Sequence, residues 1–248
     1  MTAISVPYHL DELLPESALG VRTTTQVVRR LPDGDVWQRL GALYPDVADE
    51  VAAAVRRGEL PSVISGDCTV SLAVLAGLQR AEVQPSIVWF DAHGDVQRPE
   101  TTESGYPGGM PLRMAVGDHP ELLAGAIGLR PLPESRVLLV GARDLDRAEV
   151  EYLESSEIAR SEVERAAEEL PDGPLLLHID LDVIDAAELS DLRFPVTGGP
   201  SAAAVLDAAR RILATGRVRA LDIACTWYPE GPMANRTRIV EELLAAAD

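Results

Sequence analysis

Two short apolar runs that end in metal-seeking side chains constrain this chain more than any other feature. Ile87-Val88-Trp89-Phe90 leads into Asp91-Ala92-His93-Gly94-Asp95, and Leu175–Ile179 leads into Asp180-Leu181-Asp182. In an extended chain, successive side chains point to opposite faces. Asp180 and Asp182 therefore share a face, and so do Asp91, His93 and Asp95 if the strand geometry carries on to Asp95. His178 precedes Asp180 by two and joins that face. Four carboxylates and an imidazole crowded at two strand ends repel one another unless something positive sits among them. A pair of divalent cations sharing bridging carboxylates is the economical filling.

The rest of the chain fits a frame for such strands. β-branched, apolar runs recur at Ser62–Ser65, Ser86–Phe90, Arg136–Val140, Leu175–Ile179 and Arg219–Ile223. Between them, Val70, Val74, Leu75 and Leu78 repeat at helical spacing, as do Val205, Leu206, Ala209, Ile212 and Leu213. Val47–Arg57 and Arg236–Ala246 also read as helices. Strands alternating with helices predict an α/β fold: a three-layer α/β/α sandwich around a mostly parallel sheet. Ligands of such sheets bind at the carboxyl ends of the strands, where both acidic motifs fall. The opening, Met1 to Asp46, is less regular, with one strand expected near Ala3–Pro7. Pro99–Pro111 and Ala186–Pro200 read as functional loops, and residues 1–248 as a single domain.

A formal charge of −18 disfavours nucleic acid and anionic membrane as partners, because phosphate binding needs clustered Lys and Arg. No run approaches the length of a membrane span, and the N-terminus lacks a basic-then-apolar leader. The two cysteines, Cys68 and Cys225, stand far apart and form no disulfide framework, which places the protein in the cytoplasm. A monomer or weak homodimer is expected. Little chain follows the last helix, and the negative charge adds self-repulsion.

From Ser62 to Pro229 the pattern resembles the arginase and agmatinase superfamily of manganese ureohydrolases, in an arginase-like fold. Ser65-Gly66-Asp67-Cys68-Thr69 is similar to that family's Gly-Gly-Asp-His-Ser element, Asp91–Asp95 and Asp180–Asp182 to its two metal signatures, and Ala220–Ile223 to its last strand. The resemblance implies two Mn2+ ions held by Cys68, Asp91, His93, Asp95, Asp180 and Asp182, with Asp91 and Asp180 bridging. Cys68 and Asp95 would complete one site, His93 and Asp182 the other. It also implies attack of metal-activated water on a guanidino carbon, with Asp95 and His93 as catalytic residues. Gln97 and Ser104, in and beside Thr101-Thr102-Glu103-Ser104-Gly105, resemble the loop that holds a substrate's α-carboxylate. Asp146 and Glu149 match the acids that receive its α-amino group. The bland alternative for that pair is a helix start with acids in its first turn.

Three departures separate the chain from the family pattern. Cys68 stands where the family has a histidine ligand, and a soft thiolate suits manganese poorly. It is either a ligand or a small buried residue beside a lost metal. Gly108 falls where arginases carry a proton-shuttling histidine. Cys225 falls where the family has a glutamate that grips the guanidinium, so it either lines the pocket or fills the core. A protonated guanidinium needs an anionic clamp and a proton donor for its departing amine. A hydroxylated, less basic guanidine needs less of both. The chain thus also resembles N-omega-hydroxy-L-arginine amidinohydrolases, which release hydroxyurea and L-ornithine. Another guanidino substrate, or a catalytically silent metal-binding homologue, remains the alternative. His178 reads as a core or supporting histidine or as a substitute proton carrier. His9 and His119 lie outside every motif, and Trp227 and Tyr228 either narrow the pocket or cover the sheet's end.

Overall fold

A computed structural model of the chain describes residues 1–15, 20–224 and 234–248. The strands are β1 (Thr2–Val6), β2 (Tyr8–His9), β3 (Glu12–Leu13), β4 (Thr25–Gln26), β5 (Pro61–Ser65), β6 (Ser86–Phe90), β7 (Val137–Val140), β8 (Ala159–Ser161), β9 (Leu175–Asp180) and β10 (Val218–Ala224). The α-helices are α1 (Val36–Arg56), α2 (Val70–Arg80), α3 (Pro111–Ala115), α4 (Ala124–Ile127), α5 (Arg147–Ser155), α6 (Ala202–Leu213) and α7 (Ala234–Ala246). Eight strands form one sheet in the order β4-β1-β5-β10-β9-β6-β7-β8, parallel at every pairing. β2 and β3 make a small antiparallel hairpin beside it.

An all-parallel sheet is stable only with both faces covered, which is why its strands read as continuous apolar runs. Val63, Ile87, Trp89, Leu176 and Ala220 pack into one core with residues of α1 and α2. Ile64, Val88, Phe90, Leu177, Ile179, Leu221 and Ile223 face the other core, closed by α6 and α7. Polar side chains His178 and Asp222 interrupt the α2 side of the sheet, both fully buried.

Local chemistry sets the helix boundaries. In α1, Asp35 Oδ1 accepts the Gln38 N–H at 2.9 Å while Gln38 Oε1 accepts the Asp35 N–H at 3.2 Å, a reciprocal cap. The helix begins at Val36 rather than the expected Val47 because Leu40, Leu43 and Tyr44 extend the same buried stripe. Pro45 lies inside it and hides the first half from a reading that treats an interior proline as a break. Ser201 Oγ caps α6 by accepting the Ala204 N–H at 3.2 Å. The edge strands β4 and β8 were not expected: they are two and three residues long, without the apolar run that marks a central strand.

The strand order positions the candidate site. The chain lays β1 beside β5, skips to β6, β7 and β8, then returns to place β9 and β10 in the gap. The carboxyl ends of β5, β9 and β6 thus open toward the same rim, at the switch point where such sheets take ligands.

Candidate metal centre and substrate cleft

The turn after β5 is built to present Cys68. A Cβ on Gly66 would lie 2.2 Å from the Tyr8 carbonyl oxygen, so only glycine passes there. Asp67 then ties the turn down: Oδ1 accepts the Thr69 N–H at 2.8 Å, and Oδ2 accepts the Leu10 N–H at 2.5 Å. Cys68 is left facing inward, 5% exposed, with Sγ 2.9 Å from Asp180 Oδ2 and 3.7 Å from Asp91 Oδ2.

The second motif does not stay extended as expected. β6 stops at Phe90, and Asp95 adopts a left-handed backbone with φ +54°. Aspartate tolerates that region better than most residues. Side chain to backbone bonds replace the ladder: Asp91 Oδ1 accepts the His93 N–H at 2.7 Å, and Asp182 Oδ1 accepts the Ala92 N–H at 3.1 Å. β9 likewise ends at Asp180, and residues 181–183 form a 3-10 turn in which Asp180 Oδ1 accepts the Asp182 N–H at 2.9 Å. Competition by short acidic side chains for nearby N–H groups is what bends both strand ends.

The outcome is two groups of ligand atoms that share one residue. Cys68, Asp91 and His178 offer atoms within 4.8 Å of one another, and so do Asp91, His93 and Asp182. His93 Nδ1 sits 3.3 Å from Asp91 Oδ1 and 3.1 Å from Asp182 Oδ2. Asp180 joins the cluster through Cys68 Sγ and the Asp182 N–H. Asp95 is buried, and its Oδ2, like Nε2 of His178, has no hydrogen-bond partner among the described residues.

Charge in this cluster is unbalanced in the metal-free chain. Burial, then Asp180, Asp95 and Asp91, holds the Cys68 thiol well above its ordinary value. Burial, then Asp91, does the same to Asp95, and burial, then Asp182 and Asp91, to Asp180. Burial and Asp91 push Asp182 up to about 7. Burial alone would lower His93, but Asp182 and Asp91 outweigh it and push the imidazole up to about 12. Burial would raise Asp91, yet the His93 hydrogen bond and charge hold it low. Such a set of proton-holding carboxylates, a thiol and orphaned acceptors fits divalent cations, whose charge would replace those protons.

Above the cluster lies a cleft of about 400 Å³ whose walls include His93, Asp95, Gln97, Ser104, Tyr106, Asp146, Glu149 and Phe194. Gln97 Nε2 donates to Asp146 Oδ2 at 2.7 Å, and Gln97 Oε1 accepts from the Thr101 hydroxyl at 2.9 Å. Ser104 is exposed at the rim. Glu149 reaches the cleft but is also structural: its two oxygens accept the Val96 N–H at 3.2 Å and the Asp146 N–H at 3.1 Å. Those bonds tie the start of α5 to the turn that carries Asp95.

Gly108 is filled space rather than a hole. A Cβ there would strike the Tyr106 ring at 2.2 Å. Tyr106 was not singled out in the sequence, and neither was its support. Its hydroxyl lies 2.8 Å from His9 Nε2, His9 Nδ1 accepts from Arg193 Nη1 at 2.7 Å, and Phe194 packs 5.0 Å from the Tyr106 ring. His9, which motif reading left unassigned, therefore supports the Tyr106 wall of the cleft from behind. His119 instead pairs with Glu100 and Asp118 on the loop's far side. Cys225, Trp227 and Tyr228 lie outside the described residues.

Known proteins match the chain in sequence family and in fold. A model of the arginase family matches residues 12–245, wider than the stretch that carried the sequence resemblance. An arginase of Bacillus caldovelox is 34% identical over 170 residues, covering 62% of this chain and 56% of the relative. An N(omega)-hydroxy-L-arginine amidinohydrolase of Streptomyces lavendulae is 30% identical over 148 residues, covering 58% and 52%. The matched stretches thus span little more than half the length of these relatives. The native structure of the Bacillus caldovelox arginase superposes with a TM-score of 0.84 at 24% identity, covering 100% of this chain and 98% of the other, which establishes the fold.

Proposed function

Because the chain belongs to the arginase family, we propose that it is a dinuclear manganese hydrolase of a guanidino compound, with N-omega-hydroxy-L-arginine as its preferred substrate and hydroxyurea and L-ornithine as products. The observation that carries the reading is Asp91, shared by two groups of ligand atoms beneath a cleft of amino-acid size. Cys68, Asp91, Asp95, His93, Asp180 and Asp182 would hold the ions. Two divalent ions bound there would supply a water nucleophile at neutral pH and an electrophilic pull on the guanidino group.

The remaining work falls to the side chains. Gln97 and Ser104 bind the α-carboxylate, and Asp146 the α-amino group, at the cleft's rim. Their position fixes how far the guanidine reaches toward the floor. Asp95, which lines the floor of the cleft, would accept the proton that the attacking water gives up. Tyr106 stands beside Gly108, where the family's mobile imidazole is missing; burial holds its proton more tightly than usual, so it would offer a hydrogen bond to the departing amine, with His9 behind it. The aromatic wall of Tyr106 and Phe194 excludes water from the reacting end.

Substrate preference follows from what the cleft offers a cation. Gly108 supplies no imidazole, and Cys225, by sequence position, supplies no carboxylate. A guanidinium entering a partly dry site without its clamp is penalised by several kcal/mol, on the order of 3. A hydroxyguanidine enters neutral and adds a hydroxyl donor. Among the relatives, one is named a hydroxyarginine amidinohydrolase and others are named arginase. The protein's acidity favours a monomer or weak homodimer, and we place it in the cytoplasm, consistent with no helix among the described residues being long and apolar enough to cross a membrane.

The test is release of hydroxyurea or urea from N-omega-hydroxy-L-arginine, L-arginine and agmatine after manganese loading. We expect kcat/KM for the hydroxylated substrate to exceed that for L-arginine by at least ~100-fold, or ~2.7 kcal/mol. Equal rates would overturn the substrate assignment, and no hydrolysis of any with both metals bound would overturn the enzymatic one.

A further inference from the structure

His178 is used by nothing in the scheme above, yet it is the most tightly specified imidazole in the molecule. It stands in β9, opposite Trp89 of β6 on one side and Asp222 of β10 on the other. Its ring stacks on Trp89 with centroids 3.7 Å apart, and no part of it is exposed. Nδ1 lies 2.8 Å from Asp222 Oδ2 and 2.7 Å from Ser71 Oγ, and Ser71 in turn bonds Asp222. Ser71 sits in the first turn of α2, just past Cys68. Nε2 has no partner.

A buried imidazole anchored through one nitrogen and orphaned at the other is an uncommon arrangement. When a carboxylate accepts from Nδ1–H, the tautomer is fixed and the Nε2 lone pair is free. That is the arrangement by which proteins orient histidine ligands and raise their basicity. A ring nitrogen of His178, Cys68 Sγ and an Asp91 oxygen already lie within 4.8 Å of one another.

We propose that His178 is a metal ligand, binding through Nε2 to the ion shared by Cys68 and Asp91. The inference rests on the proposed metal centre and extends its ligand set. Cys68 leaves the turn after β5 without the imidazole expected there, and β9 supplies one from the neighbouring strand, with Asp222 and Ser71 as its anchors. The donor set then becomes sulfur, nitrogen and oxygen on this side, against nitrogen and oxygen at His93 and Asp182. Thiolate with imidazole favours zinc, cobalt(II) or iron(II) over manganese. The two positions should therefore differ in ion preference, the Cys68–His178 position taking the softer ion.

The test uses the full-length protein loaded with cadmium-113 and labelled with nitrogen-15 histidine, because cadmium accepts sulfur, nitrogen and oxygen donors and reports each bonded nitrogen as a scalar coupling. We expect two cadmium ions per chain and two coupled imidazoles, His178 through Nε2 and His93 through Nδ1. His93→Gln should leave the His178 coupling in place. Two bound cadmium ions with His93 as the only coupled imidazole would overturn this inference while sparing the metal centre. No bound cadmium, with manganese and zinc also absent by elemental analysis, would overturn both. In a second measurement, Ser71→Ala frees one anchor of the ring without touching a ligand. It should weaken zinc retention at one position by about 10-fold in a chelator competition, the lower end for lost supporting bonds, and leave the other position unchanged. Equal weakening at both, or at neither, would count against His178.

Discussion

The two sides of the acidic cluster share Asp91 but live in different surroundings. On one side, Cys68, Asp180 and His178 are buried at the turn after β5 and along β9, while Asp95, paired with Cys68 by the family pattern, reaches the cleft. On the other, His93 is 29% exposed and forms part of the cleft wall, with Asp182 behind it. The first side holds its protons because burial disfavours charge. The second pairs an imidazolium with carboxylates in the metal-free chain. Under the proposed metal centre, the ion on the buried side should exchange more slowly than the one beside His93, which lines the cleft.

The sharpest way to break that contrast is at the residue both halves use. Asp91→Asn should lose both ions and at least ~10⁴-fold in turnover, ~5.5 kcal/mol of barrier. Retention of one ion by elemental analysis would show that the halves are independent. His93→Ala should spare the buried half: we expect one ion per chain and a loss of roughly 10³-fold in kcat/KM. Loss of both ions would mean that the open half supports the buried one. Tyr106→Phe removes no ligand and should lower kcat about 10²-fold with KM little changed, the range for a lost hydrogen-bond donor to the transition state. An unchanged kcat would remove Tyr106 from the reacting end.

The smallest effect is a pH dependence of the metal-free fold. Asp182 titrates at about 7 in the folded chain against an ordinary 3.8, so its stabilising contribution is complete below the lower value and lost as pH rises to the upper. His93 is raised from 6.5 to about 12, so its contribution is complete below 6.5 and fades above it. Both run the same way. In chelator, Tm should fall by about 5 °C between about pH 5 and pH 8, and Asp182→Asn should flatten the lower part of that slope. A calorimetric slope unchanged by Asp182→Asn would assign it to the overall charge of −18 instead.

What the sequence revealed follows the same division. Central strands were legible because burial on both faces leaves runs such as Leu175–Ile179 unbroken, and the parallel α/β frame follows from their alternation with helices. Ligand convergence was legible in kind but not in path: Asp95 arrives by a left-handed turn, not by strand alternation, because side chains took over the N–H groups that would have continued β6. His178 was readable as sharing a face with Asp180. Its anchors were not, since Ser71 lies 107 residues away and Asp222 lies 44 away, meeting it only through the sheet order. Tyr106 and His9 were hidden for the same reason, since only the fold brings a glycine-rich loop against the hairpin of β2 and β3. The start of α1 was masked by Pro45.

The late arrival of β9 and β10 in the middle of the sheet also fixes an order of events during synthesis. A chain extended only to residue 174 holds Cys68, Asp91, His93 and Asp95 but lacks the two strands that separate β5 from β6. Its sheet has two apolar inner edges facing a gap, the kind of surface that recruits other strands. Pairing across so long a stretch of sequence is slow, because loop closure precedes the contacts that reward it. The chain at that point carries four of the six proposed ligands on an unfinished sheet, and β9 with the turn after it supplies the other two, Asp180 and Asp182. Under the proposed metal centre, insertion of these strands would complete the ligand set, coupling ion binding to that step of folding.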